Sequence, residues 1–143
     1  MKKVFISCPV KGRTEENIKK SIEKMHKIAE IIFEQELEII TAYQGGLAEG
    51  VYHASTWCLG KSIQKLSDAD YYVGLIGWYD SGIFADCTIE REIAQKHGIR
   101  NIVLDPDDVM PDAVEFERSN YRVCDNCEPE ACDRTVTGVE DIR

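Results

Sequence analysis

The chain has 143 residues and a formal net charge of −9, a length that fits one domain and leaves little room for two. Its 43% hydrophobic content supports a packed core and excludes wholesale disorder. The charge is uneven: residues 1–104 hold 13 Lys and Arg against 14 Asp and Glu, whereas residues 105–143 hold 4 against 12. This balance does not suit a nucleic-acid polymer, which needs a basic face, although a local pocket for a small anion is compatible with these numbers. No apolar run approaches the roughly 18 residues of a membrane-spanning helix. The apolar stretch in Met1–Ser7 is too short for a signal peptide, so a cytoplasmic protein without a membrane partner is expected. Cys8, Cys58 and Cys87 lie far apart within apolar segments. In a reducing compartment they read as free, buried thiols.

Lys2–Cys8 is a short β-rich run broken by Pro9 and Gly12. Thr14, followed by Glu16 and Asn17, predicts a helix start with Thr14 as N-cap. Ile18, Ile22, Met25, Ile28, Ala29 and Ile32 then recur at helical spacing as far as about Glu36. Leu37–Thr41 is a second strand, and Gln44-Gly45-Gly46 opens a loop with room for a short helical piece before Tyr52. Ala54–Leu66 reads as a helix. Asp70–Gly77 reads as a third strand, apolar enough to be covered on both faces. Trp78–Asp86 is a loop, Cys87–His97 a helix closed by Gly98, and Ile99–Leu104 a fourth strand. This order predicts an α/β fold, doubly wound (Rossmann- or flavodoxin-like), with a mostly parallel sheet of four to five strands. The domain would span residues 1–105. Residues 106–143 form an acidic, Cys-containing extension, packed on the domain or partly mobile, with a short helix possible over 113–118.

In such sheets ligands bind beyond the carboxyl ends of the strands, near the reversal in strand order. The loop Cys8–Arg13 brings Lys11, Gly12 and Arg13 to a helix N-terminus, an arrangement that suits an anion. The plainer reading is an ordinary turn with solvated cations. The loop Gly77–Asp86 contributes Trp78, Tyr79, Asp80 and Ser81, whose aromatics either stack a base or sugar or cap the core. Glu90 follows Asp86 by one helical turn, so the two share a face. Acids there also suit the helix dipole without any further role.

These residues resemble a known family. Ile6-Ser7-Cys8-Pro9-Val10-Lys11-Gly12 is similar to the “YISGPMTG” start of the nucleoside 2-deoxyribosyltransferase-like proteins of phages and bacteria. Leu66–Asp70, Gly77-Trp78, Asp86–Ala94 and Gly98 resemble that family's second half, so the likeness spans about residues 2–105. It implies a nucleoside or nucleotide N-glycosidase or 2-deoxyribosyltransferase, needing no cofactor. Glu90 would be the nucleophile at C1′ of the sugar. Asp80 or Asp86 would protonate the departing base. Ser7, Pro9, Lys11, Gly12 and Arg13 would lie along the phosphate-binding stretch, while Trp78, Tyr79 and Ser81 would hold base or sugar. It further implies a homo-oligomer in which a neighbouring subunit completes the site. The sequence departs from the pattern at Arg91, Glu92 and Asp86. These departures favour an alternative: a non-catalytic nucleotide-binding module, a sensor or sponge, on the same fold.

Cys124, Cys127 and Cys132 have spacing that could supply three zinc thiolates. With no second Cys pair and no His nearby, reduced thiols in a polar tail are the simpler reading, and no metal site is expected.

Overall fold

The computed structural model describes residues 1–10, 13–76 and 85–113. Lys11, Gly12, Trp78, Tyr79, Asp80, Ser81, the tail cysteines Cys124, Cys127 and Cys132, and all but the first residue of the helix expected over 113–118 lie outside the described residues. The elements run β1 (Lys2–Ile6), α1 (Glu15–Phe33), β2 (Leu37–Thr41), α2 (Ala54–Leu66), β3 (Tyr71–Leu75), α3 (Ala85–Lys96), β4 (Arg100–Leu104) and α4 (Pro106–Val109). Thr14 caps α1 as expected, its side chain accepting from the Asn17 N–H at 3.1 Å. The helix stops at Phe33, short of Glu36, because Glu34 turns left-handed at φ 57°. The Gln35 N–H then bonds back to the Glu30 carbonyl at 3.2 Å. The loop between β2 and α2 contains no helical piece.

Among the described residues the sheet has four strands, all parallel, in the order β2-β1-β3-β4. The chain leaves β1 for β2, returns past β1 to β3 and continues to β4. That reversal opens a crevice between the carboxyl ends of β1 and β3. With right-handed crossovers, α1 covers one face and α2 and α3 the other. The packing agrees, α1 lying against α4 and α2 against α3.

Side-chain alternation along the strands divides the core accordingly. Val4, Ile6, Tyr71 and Val73 pack under α1 with Met25, Ala29 and Phe33. Phe5 and Tyr72 turn the other way, toward Leu66 of α2 and Ala94 of α3. Ser7, two residues beyond Phe5, falls on this second face, and so β1 delivers a hydroxyl to α3 at the mouth of the crevice. On β3, Gly74 leaves room for the Tyr72 ring, because a Cβ there would meet the ring carbon Cε1 at 2.7 Å.

The core does not end at residue 105. Asp105 caps α4 by accepting from the Asp107 N–H at 2.9 Å, with Pro106 in the first turn. Val109, Met110 and Ala113 are buried against the α1 side of the sheet. No helix among the described residues is long and apolar enough to cross a membrane.

Candidate active site

At the crevice lies a cleft of about 330 Å³. Its walls come from the loop after β1 (Cys8, Pro9, Val10), the loop after β2 (Ala42, Tyr43), α2 (Ser55, Cys58, Leu59, Ser62) and α3 (Asp86, Cys87, Glu90). The loop after β2 is held by α2, since Ser62 Oγ accepts from the Tyr43 N–H at 2.9 Å. Tyr43 also packs edge-on against Trp57, their centroids 5.6 Å apart.

Glu90 stands on the same stripe of α3 as Ala94, one turn earlier, where the amphipathic pattern would place an apolar residue. The residue is only 3% exposed. Ser7, itself wholly buried, donates its hydroxyl to Glu90 Oε1 at 2.7 Å. The other carboxyl oxygen, Oε2, has no hydrogen-bond partner among the described residues. Burial pushes this carboxyl up to about 7; the Ser7 hydrogen bond works against that rise, and the charge of Asp86 adds to it. Arg91, the adjacent cation in sequence, is not part of the cleft wall and donates from NH1 to the Leu75 carbonyl at 2.9 Å.

The raised carboxyl has a consequence for stability. An unfolded chain releases the Glu90 proton above about pH 4.5, whereas the folded protein keeps it up to about 7. Over that interval the folded state holds the extra proton, so stability falls as pH rises, by about 3 kcal/mol at most. Glu90→Gln, which keeps an acceptor for Ser7 and carries no charge, therefore raises Tm at pH 8. The gain disappears near pH 4. Thermal melts at the two pH values check this, and an equal change at both would contradict it.

The thiols of Cys8, Cys58 and Cys87 are free and all border the cleft. Burial raises the pKa of Cys87, with the Glu90 charge adding to the effect. Burial likewise raises that of Cys8, against the opposing influence of Arg13. Both thiols are thereby kept neutral rather than nucleophilic. No group of three His, Cys, Asp or Glu side chains among the described residues is arranged to hold a metal ion.

Arg13 departs from its expected role. Its side chain is completely buried, and it points into the α1 side of the fold rather than into the cleft. Nε and NH2 donate to the two carboxylate oxygens of Asp112 at 2.9 and 2.7 Å. NH1 donates to the Pro9 carbonyl at 2.8 Å and to Cys8 Sγ at 3.4 Å. NH2 also reaches Ser21 Oγ at 2.7 Å. A guanidinium engaged on all its edges ties the loop after β1, the start of α1 and the segment after α4 into one unit. Offering it to a ligand phosphate would mean dismantling that unit.

No family model, curated protein or solved structure matches this chain. The functional reading therefore rests on its own residues. Of those singled out in the sequence, the fold gathers Ser7, Pro9, Asp86 and Glu90 at the cleft and turns Arg13 away. Tyr43, Ser55 and Ser62 are cleft residues that the sequence did not single out. Their only signal is position: each lies at the carboxyl end of β2 or on α2 as it leaves that edge.

Proposed function

We propose that the protein breaks the N-glycosidic bond of a nucleoside or nucleotide, by hydrolysis or by transfer of the sugar, with Glu90 as the nucleophile at C1′. The observation carrying this reading is the buried Glu90 carboxyl group, anchored on one oxygen by Ser7 and without a partner among the described residues on the other, lining a cleft at the strand-order reversal. In this scheme Oε2 attacks C1′ as the C1′–N bond breaks, and the bonding pair leaves on the base nitrogen. The base takes up a proton from an acid, the role that falls to Asp86 in the cleft or to Asp80. Water, or a second base, then displaces the carboxylate from C1′ and regenerates Glu90. Positive charge builds on the sugar ring during both steps, and a carboxylate in a poorly solvated cleft stabilises it far more than one in water. Glu90 meets that requirement once it has lost its proton.

The test is chromatographic. The protein is incubated with a panel of 2′-deoxynucleosides, ribonucleosides and their 5′-monophosphates, and free base is measured. Base release that depends on Glu90 supports the reading; release at an unchanged rate in Glu90→Ala overturns the nucleophile assignment. One observation favours the binding-only alternative: burial keeps much of the Glu90 population neutral at pH 7. Saturable binding across the panel without base release would identify a binding module. The homo-oligomer implied by the resemblance is part of the same reading, and light scattering on the purified protein measures it.

A further inference from the structure

Among the described residues, the charge lining the cleft is one-sided. Asp86 and Glu90 lie one helical turn apart on its wall, and none of its described lining residues is Lys or Arg. The described cations nearby are committed elsewhere. Arg13 is paired with Asp112, and Arg91 donates to the Leu75 carbonyl. Lys61 lies over the Trp57 ring, 5.2 Å from its centroid. Glu90 lines the cleft, and its second oxygen, Oε2, has no partner among the described residues although the residue is nearly fully buried. An oxygen in that position is stabilised by a positive charge brought in by a ligand.

We propose that the cleft selects a nucleoside whose base is cationic, in preference to a neutral nucleoside and against a 5′-phosphorylated one. This rests on the nucleoside reading above and narrows its substrate class. The chemistry of the bond supports the same choice. When Glu90 Oε2 bonds to C1′ of a nucleoside with a cationic base, the electrons of the breaking C1′–N bond cancel the charge on the base. The base departs neutral and needs no proton from an acid. A cleft whose described charges are carboxylates suits that leaving group. The aromatic wall at Tyr43 can also face a positively charged ring.

The experiment is calorimetric titration at pH 7 with matched ligands: 1-methyl-2′-deoxyadenosine against 2′-deoxyadenosine, 3-methyl-2′-deoxycytidine against 2′-deoxycytidine, and the two unmodified 5′-monophosphates. At neutral pH both methylated bases carry a positive charge. The result expected is that at least one methylated nucleoside binds roughly tenfold or more tightly than its parent, with the monophosphates weakest. Asp86→Asn should reduce that advantage to about threefold or less, since it removes one of the two charges that set it. Equal affinity for methylated and parent nucleosides overturns the proposal, as does a failure of both methylated nucleosides to bind. Tighter binding of the monophosphates, the outcome expected if Lys11 supplies a phosphate site, also overturns it. The two readings fail separately. Preferential binding of the cation without base release would leave the proposal standing and remove the catalytic reading. Base release from neutral nucleosides, with no preference for the cation, would do the reverse.

Discussion

Replacing Glu90 by Gln lowers the rate constant for base release by about three orders of magnitude or more, equivalent to ~4 kcal/mol of lost transition-state stabilisation. The amide has the shape of the acid and still accepts from the Ser7 hydroxyl, whose bond to Oε1 is 2.7 Å in the native chain. It cannot form a covalent bond to C1′ or offset the charge that develops there. Binding of a neutral nucleoside changes little, because shape and apolar contacts in the cleft are retained. The loss therefore falls on kcat rather than on KM. Ser7→Ala has a smaller effect of the same kind, about tenfold, because it frees the carboxylate to rotate without removing it. Steady-state kinetics on the two variants check this. A Glu90→Gln protein with normal kcat and raised KM would make the carboxyl a binding group only.

Arg13→Ala destabilises the fold by about 3 kcal/mol, a fall of ~10 °C in Tm for a domain of this size. The side chain is fully buried and Asp112 nearly so, and removing the guanidinium leaves the carboxylate without its two hydrogen bonds. Burial alone would raise the Asp112 carboxyl, but the hydrogen bond and charge of Arg13 outweigh it and hold the group below the ordinary carboxylate range. The contribution of the pair is thus present above the unfolded pKa of an aspartate, near 4, and is lost as pH falls through the lower folded value. Asp112→Ala costs a similar amount, and the double variant costs less than the sum, because each single change already breaks the same pair. Denaturant melts of the three proteins measure this cycle. A change within about 0.5 kcal/mol in Arg13→Ala, with its loss confined to affinity for monophosphates, would return Arg13 to the role of a ligand cation.

Legibility in the sequence tracked the range of the interactions. The helix over Ala54–Leu66 and the strand over Leu37–Thr41 are where the periodicity places them, since both signals are local. The parallel sheet followed from element order alone. α4 was hidden because four residues are too few for a period to register, and its Asp and Pro content resembles a tail. Arg13 and Asp112 are 99 positions apart, a separation at which nothing in a single sequence announces a partner. Arg13 consequently read either as a solvated cation of an ordinary turn or as one awaiting an anion. Glu90 was readable for a physical reason as well as by resemblance. It follows Asp86 by one helical turn, so the two share a face; the structure then shows Glu90 buried one turn before the core residue Ala94. Cys8, Cys58 and Cys87 were legible as free thiols, but only Cys8 is buried as expected, Cys58 and Cys87 being half-buried, and their meeting at one cleft depends on three elements from different parts of the chain.

Mass spectrometry of the protein quenched during turnover tests the nucleophile most directly. A 2′-deoxynucleoside that yields free base is mixed with the protein, the reaction is stopped with acid, and the peptides are mapped. A pentosyl adduct is expected on the peptide containing Glu90, absent from Glu90→Gln and lost on further incubation with water or an acceptor base. Base release with no adduct on Glu90, continuing at the native rate in Glu90→Gln, would contradict it.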